Sequence, residues 1–264
     1  MPELAEVEYY RKRWAGAEGS LVDSVEVNAK KRVYRDADPQ ALVRGLEGST
    51  LGGSSTYGKQ MSFAFGSQHW LGVHLGMAGR LKSVAADYQK TKHDHLLIRL
   101  ETGEALVFSD PRLFGKLLYH EGKSPPWLEN LSPEILSDEF TLGFMNTFLD
   151  RRARSPIKAV LLMQERFPGI GNWMADEILW RARIAPNTRS GMLDVAQRRE
   201  LYKRIREVSG DAMRVIGTNW SRPPNSWLFN HRWKDGGFCP QTGEPLEREV
   251  IGGRTTCWSP SWQK

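Results

Sequence analysis

The start of the chain combines an amine nucleophile with several carboxylates. Removal of Met1 would expose the secondary amine of Pro2 next to Glu3. A secondary amine that attacks a sugar carbon forms a cationic iminium, as covalent amine catalysis requires. Because the pKa of an α-amino group is about 8, roughly a tenth or more is already free base at neutral pH. The alternative is that Pro2 is a first-turn residue and that Glu3, Glu6 and Glu8 favour a helix N-terminus.

Further candidate residues lie in motifs that combine glycine with cationic, amide or bulky apolar side chains. These motifs are Tyr57-Gly58-Lys59, Gly76-Met77, Arg112-Leu113-Phe114-Gly115, Gly169-Ile170-Gly171-Asn172 and Gly252-Gly253-Arg254. Glycine lets a backbone approach a phosphate closely, and the amides of a helix N-terminus bind it. Taken singly, each has an ordinary explanation: Lys59 and Arg254 as surface cations, Met77 and Phe114 as core residues, Asn172 as an N-cap.

The charge distribution favours a polyanionic partner. The 264 residues are 40% apolar and 26% charged, with a net charge of +6. Residues 151–264 hold 20 Lys and Arg against 11 Asp and Glu, whereas residues 1–150 hold 17 against 20. A basic half joined to a slightly acidic half is expected of a phosphate-gripping module attached to a chemistry-bearing one, although solvated basic helices produce the same asymmetry.

Composition also predicts the compartment. No stretch approaches the roughly 18 apolar residues of a membrane span, and the first residues lack the basic and apolar regions of a secretory signal. Cys239 and Cys257 are the only cysteines and provide no disulfide framework, in keeping with a reducing compartment. We therefore expect a cytoplasmic protein.

The first part of the chain reads as one helix followed by strands. Residues 3–14 place Leu4 and Val7 on one helical face, which Gly16 and Gly19 would end. Short apolar stretches separated by turn residues then predict a β-sandwich or barrel-like domain, with strands at 21–27, 61–65, 70–75, 96–100, 105–108 and 114–119. Residues 124–126, Ser-Pro-Pro, predict a linker.

Beyond the linker the apolar period becomes helical. Ser137 is a candidate N-cap for a helix that ends near Arg152. Further helices are predicted at 156–164, 172–183 and 198–216, and Gly210 argues against an unbroken helix in the last of these. The final forty residues return to short strands, at 247–251 and 255–258, on either side of Gly252-Gly253.

The Pro-Glu start, the Gly-Ile-Gly-Asn motif and the Gly-Gly-Arg-Thr-Thr hairpin together resemble the bacterial formamidopyrimidine-DNA glycosylase and endonuclease VIII family along essentially the whole chain. The start is more similar to the formamidopyrimidine branch, although Ala5 stands where that branch usually has proline. The resemblance implies an α+β multidomain fold. We expect an N-terminal catalytic β-sandwich with a leading helix at 1–123, a helix-two-turn-helix DNA-binding domain at 124–226 and a β-hairpin finger at 227–264.

The resemblance also implies roles for the candidate residues. Pro2 matches the family's nucleophile, Glu3 the acid that protonates the sugar ring oxygen, and Glu6 a further active-site carboxylate. Lys59 matches a lysine that contacts phosphate beside the lesion. A glycosylase that extrudes a base must fill the gap left in the duplex. The residues that match the family's gap-filling methionine, arginine and phenylalanine are Met77, Arg112 and Phe114. Those that match phosphate contacts are Asn172 and Arg254.

One departure from the family concerns its C-terminal zinc finger, which usually holds four cysteines. Aligned with that pattern, only Cys239 occupies a ligand position, and Thr242, Ser259 and Trp262 occupy the others. Structural zinc requires four ligands, typically thiolate or imidazole. We therefore predict a zincless finger with no metal, in which apolar packing of Trp258 and Trp262, with Phe238 and Trp233, replaces coordination.

The combined expectation is a bifunctional DNA glycosylase and AP lyase of base-excision repair that acts on oxidised purines in damaged double-stranded DNA. No cofactor is expected, and the protein should be a monomer of the bacterial type, associated with the nucleoid. Two alternatives stay open. One is a relative that acts on oxidised pyrimidines, hydantoins or abasic sites, and the other is a non-enzymatic binder of damaged DNA.

Overall fold

The computed structural model describes all of residues 1–264, which divide into two compact units. The first unit contains residues 1–2 and 6–131, and the second contains residues 3–5 and 132–264. The C-terminal hairpin therefore lies in the same unit as the helices. The division into three domains, with boundaries after residues 123 and 226, stays a prediction.

The first unit is a β-sandwich, as the sequence predicts. Its helices are α1, Leu4–Ala15, of which residues 4 and 5 belong to the second unit, and α2, Pro39–Leu46. Its strands are β1, Val22–Val27; β2, Leu51–Tyr57; β3, Gln60–Phe65; β4, His69–His74; β5, Arg80–Ala85; β6, Asp94–Leu100; β7, Glu104–Ser109; and β8, Lys116–Glu121. They form two antiparallel sheets, ordered β1-β6-β7-β5 and β2-β3-β4-β8.

The sandwich core is formed by inward-facing apolar residues and by one face of α1. Trp14 of α1 is fully buried, lies 5.0 Å from Phe63 between ring centroids, and donates its indole N–H to the carbonyl of Lys82 at 3.0 Å. Burial of each such side chain contributes about 1.5–3 kcal/mol. Two strands, β2 and β5, escaped prediction because glycine, serine and charged residues interrupt their apolar pattern.

The second unit is built on four helices: α3, Leu142–Arg151; α4, Ile157–Leu161; α5, Asn172–Ala182; and α6, Val195–Asn219. The predicted N-cap at Ser137 is wrong. The helix begins later, because the hydroxyl of Thr141 accepts a hydrogen bond from the amide of Phe144 at 3.1 Å. Gly210 does not interrupt α6, which starts at a capping box formed by Asp194 and Gln197.

The C-terminal hairpin consists of β9, Glu247–Ile251, and β10, Arg254–Trp258. It shares a small apolar cluster with α5, in which Trp262 packs against buried Trp180, Leu228, Cys239, Leu246 and Cys257. The expected packing of Phe238 and Trp233 is wrong: their side chains are 59% and 56% exposed. Among all the helices, none is long and apolar enough to cross a membrane.

Candidate functional site

The carboxylate of Glu3 lies at the N-terminus of α5. One oxygen accepts hydrogen bonds from the amides of Gly171 and Met174 at 2.9 and 3.0 Å, and the other accepts from the amide of Trp173 at 2.9 Å. The side chain is buried. A Cβ atom at Gly171 would lie 2.2 Å from the carboxyl carbon of Glu3, so this residue must be glycine for the carboxylate to approach.

The surroundings of Glu3 can support a negative charge. Three amide donors and the positive end of a helix stabilise the ionised carboxylate. As a carboxylate, Glu3 is suited to stabilise a cation that forms beside it, and in its protonated form it can act as an acid. Pro2, the preceding residue, is half-buried, and Glu6 is buried within α1.

Lys59 lies in the tight turn between β2 and β3. Gly58 has a positive φ of 56°, which glycine adopts without strain, and Tyr57 pairs with Gln60 across the turn. Gln60 in turn pairs with His74 on β4. Burial lowers the pKa of His74 below its ordinary value, and nearby Lys59 lowers it further. The turn therefore presents Lys59 beside an imidazole whose neutral form is favoured.

Two loops of the sandwich unit carry the residues that match the gap-filling group. Gly76 has a positive φ of 60°, and a Cβ atom there would lie 2.4 Å from the carbonyl carbon of Phe114, so the loops pack backbone against backbone. The second loop is fixed by the buried carboxylate of Asp110, which accepts hydrogen bonds from the amides of Arg112 at 3.0 Å and Gly115 at 2.7 Å. Leu113 between them has a positive φ of 59°.

These loops expose three side chains together. Met77 is 40% exposed and Phe114 is 45% exposed, which is unusual for large apolar residues. The guanidinium of Arg112, also exposed, lies 5.1 Å from the centroid of the Phe114 ring. The core interpretation of Met77 and Phe114 is therefore wrong. An apolar pair can occupy a gap in a base stack, and the arginine beside it can donate hydrogen bonds to an acceptor-rich base edge.

Asn172 and Arg254 lie in the second unit. Asn172 is the first residue of α5, whose N-cap is Gly171, so the N-cap alternative for Asn172 is wrong. Its side-chain amide donates to the carbonyl of Thr255 on β10 at 2.8 Å. Arg254, next to Thr255, is exposed at the start of β10.

A buried cluster of charges adjoins these residues, and sequence reasoning missed it. The carboxylate of Asp176 pairs through one oxygen with the ammonium of Lys158, and through the other with the guanidinium of Arg232. Lys158 also donates to the carbonyl of Asn172 at 2.8 Å. Burial lowers the pKa of the Lys158 ammonium, an effect that the carboxylates of Asp176 and Glu3 oppose. With Glu3, the cluster contains two carboxylates and two cations.

The four positions that match zinc ligands do not fit the metal. The cysteine thiol and two hydroxyls are instead linked by hydrogen bonds, and the whole chain contains no group of three or more His, Cys, Asp or Glu residues arranged to hold a metal. Burial raises the pKa of Cys239, but hydrogen bonds from Thr242, Ser259 and Trp180 outweigh it and lower the pKa to about 7. The fourth position, Trp262, donates its indole N–H to the carbonyl of Trp180 at 3.1 Å.

Comparison with known proteins assigns the chain to a family. The formamidopyrimidine-DNA glycosylase N-terminal domain matches residues 1–117, and the H2TH domain of the same enzymes matches residues 131–222. The formamidopyrimidine-DNA glycosylase of Thermus thermophilus is 34% identical over 276 residues, which cover 100% of this chain and 98% of that one. This chain belongs to the formamidopyrimidine-DNA glycosylase family.

Solved structures of family members resemble this chain throughout. The Lactococcus lactis Fpg structures with DNA that contains an abasic site or an oxidised pyrimidine have a TM-score of 0.88 and 27% identity, and cover 99% and 100% of both chains, respectively. A MutM structure with DNA that contains carbocyclic 8-oxo-G also has a TM-score of 0.88 at 27% identity, with full coverage of both chains. The family of DNA repair glycosylases and its fold, expected from sequence motifs, are thereby confirmed.

Proposed function

We propose that this member of the family is a bifunctional DNA glycosylase and AP lyase that excises 8-oxoguanine and formamidopyrimidines from double-stranded DNA. The observation that carries the proposal is the exposed group formed by Met77, Arg112 and Phe114 on two mutually braced loops. Such a group is what an enzyme needs to hold a duplex open after a base has been extruded. The DNA complexes of Lactococcus lactis Fpg and of MutM support the same class of partner.

The proposed reaction begins once Met1 has been removed. The amine of Pro2 attacks the anomeric carbon, a new carbon–nitrogen bond forms, and the damaged base leaves with the electron pair of the glycosidic bond and takes up a proton. Opening of the sugar ring then gives an iminium, and loss of a proton from the adjacent carbon expels the 3′ phosphate. Water releases the sugar fragment from Pro2.

Four further residues would stabilise this cationic intermediate and hold the strand. Glu3, whose carboxylate accepts three backbone hydrogen bonds, follows Pro2 in the sequence and would offer a negative charge to the cation. A proton taken up by Glu3 would give it the acid role at the ring oxygen. Lys59, Asn172 and Arg254 would bind phosphates, so affinity should fall steeply with salt.

A second candidate differs only in the lesion. The Lactococcus lactis Fpg complex with an oxidised pyrimidine favours a broader or different substrate preference within the same chemistry. A non-enzymatic DNA binder is the third candidate, and retention of Met1 would favour it because the Pro2 amine would be blocked.

Borohydride trapping tests these candidates together. The native chain and Pro2→Gly are incubated with borohydride and a duplex that contains 8-oxoguanine opposite cytosine, or one that contains an abasic site. A covalent adduct on the 8-oxoguanine duplex that falls sharply in Pro2→Gly supports the proposal. Adducts on abasic DNA alone indicate another base substrate, adducts on neither favour the binder, and intact mass establishes whether Met1 is present.

We also propose that the finger of this chain folds without zinc, because its four ligand positions supply one thiol, two hydroxyls and an indole. Metal analysis of the purified protein should find less than one zinc per ten chains, and a chelator should leave the melting temperature unchanged. Stoichiometric zinc, or a chelator-induced fall in melting temperature, would contradict this.

A further inference from the structure

The exposed arginine of the finger, Arg254, lies between two contacts that hold the hairpin against the helices. On one side is Gly252, where a Cβ atom would lie 2.9 Å from the Cβ of Ala159 in α4. On the other side is Thr255, whose carbonyl accepts from the side-chain amide of Asn172 at 2.8 Å. The hairpin is therefore fixed two residues before Arg254 and one residue after it.

A third contact holds β10 near its C-terminal end. The amide of Cys257 donates to the buried carboxylate of Asp176 at 3.1 Å, on the oxygen that also accepts from the guanidinium of Arg232. The other oxygen of Asp176 pairs with Lys158, the residue before Ala159 in α4. One carboxylate thus joins α4, the start of the finger and β10.

We infer that Asp176 and the close approach of Gly252 to Ala159 position Arg254 for its contact with the DNA backbone. The inference rests on the proposed phosphate contact of Arg254. Asp176 is a positioning residue, because it is buried and acts through β10. In a finger whose ligand positions do not fit zinc, docking on the helices sets where the arginine lies.

Neighbouring glycines provide a matched pair of variants. Gly252 and Gly253 both have positive φ, at 59° and 74°, so alanine is strained at either position. Only at Gly252 would the new Cβ meet another element, because nothing lies within 4 Å of a Cβ at Gly253. Gly252→Ala therefore displaces the turn from α4, and Gly253→Ala reports the backbone strain alone.

The experiment measures equilibrium binding of the full chain to a duplex with a tetrahydrofuran abasic-site analogue, at several salt concentrations. The salt slope is the steepness with which the logarithm of the binding constant falls as the logarithm of the salt concentration rises. Arg254→Ala should weaken binding about tenfold or more and lower the salt slope by about one, as loss of one phosphate contact predicts. Gly252→Ala should reproduce both effects, and Gly253→Ala should stay within about twofold of the native chain. In the Arg254→Ala background, Gly252→Ala should add less than about a twofold loss.

The outcomes separate this inference from the proposed function. If Arg254→Ala leaves affinity and salt slope unchanged, the phosphate contact itself is wrong. If Arg254→Ala weakens binding but Gly252→Ala matches Gly253→Ala, the positioning inference is overturned. A loss in Gly252→Ala that persists in the Arg254→Ala background, or that leaves the salt slope unchanged, also overturns it.

Asp176→Asn extends the test to the buried carboxylate. This change leaves two buried cations without their carboxylate and can unfold the unit, so the glycine pair decides the inference by itself. Where Asp176→Asn stays folded, as judged by its thermal transition, it should show the reduced salt slope of Arg254→Ala. A folded Asp176→Asn chain with the native salt slope would remove Asp176 from the inference.

Discussion

The two loops that carry Met77, Arg112 and Phe114 in the sandwich unit and the hairpin of the helical unit hold their exposed residues in different ways. In the loops, Gly76 packs on the backbone of Phe114, and the carboxylate of Asp110 caps amides two and five residues along the chain. In the hairpin, residues on either side of Arg254 contact α4 and α5, which lie some eighty to one hundred residues earlier in the sequence.

This difference shows that contacts between residues near in sequence and contacts between distant segments can both hold exposed side chains in place. The loops depend on backbone conformations that glycine permits and on hydrogen bonds within six residues. The hairpin depends on one buried carboxylate balanced by two cations, whose cost of burial is recovered only if every partner is present. Substitutions should therefore affect the two regions to different extents.

The largest effect on stability is expected when the buried cluster loses a cation. Lys158→Met should lower the free energy of unfolding by about 3–5 kcal/mol, because Asp176 keeps a negative charge away from water with one partner missing. The matched change in the sandwich unit is Lys116→Met. Its half-exposed pair with Asp36, at 3.1 Å, should contribute less than about 1 kcal/mol. Equal losses in denaturant unfolding would show that the cluster is no more critical than a surface pair.

A smaller loss is expected when the loops are forced apart. Gly76→Ala should lower the free energy of unfolding by about 2–4 kcal/mol, since the new methyl overlaps the Phe114 backbone and the φ is positive. Gly103→Ala is the control, because its φ of 83° is also positive but a Cβ there meets nothing. It should cost about 1–2 kcal/mol. Similar thermal shifts for both variants would contradict the bracing of the two loops.

The thiols should make stability depend on pH. The folded pKa of Cys239, about 7, lies below its ordinary value of 9. The contribution of this thiol to the free energy of unfolding is therefore complete above pH 9 and is lost as pH falls toward 7. This difference amounts to at most about 3 kcal/mol. Burial, the largest cause, raises the pKa of Cys257 to about 11, so its contribution is complete below pH 9 and is lost as pH rises toward 11.

Melting temperatures measured across pH test both signs. Cys239→Ala should abolish the rise between pH 7 and 9 and keep the fall above pH 9, whereas Cys257→Ala should do the reverse. A rise between pH 7 and 9 that survives in Cys239→Ala would assign it to another group.

The smallest effect on stability is expected at the exposed loop residues. Phe114→Ala should change the free energy of unfolding by less than about 0.5 kcal/mol, because the ring is 45% exposed. Base excision should nevertheless fall about tenfold or more, since contact of an aromatic ring with a base is worth about 1–3 kcal/mol. Loss of stability without loss of excision would return Phe114 to the core interpretation.

Most of the sandwich could be predicted because its strands are short apolar stretches that end at turn residues. The predicted segment at 96–100 matches β6, and the hairpin at 247–258 has the predicted Gly-Gly turn. The start of α3 was misplaced, because Ser137 and Thr141 are both good caps and only the neighbouring backbone selects one. The start of α6 was predicted three residues late, because the capping box lies before the apolar period, and its end was predicted three residues early.

The sequence by itself determined most of the elements, the glycine turns and the family, because these depend on local spacing and on motifs that survive at about a third identity. Only the tertiary structure decided that Met77 and Phe114 are exposed rather than buried, and that Glu3 is held by the amides of α5. It alone revealed Asp176 between Lys158 and Arg232. Burial and ion pairing depend on which distant segments meet in the fold, and no local pattern of residues encodes which segments these are.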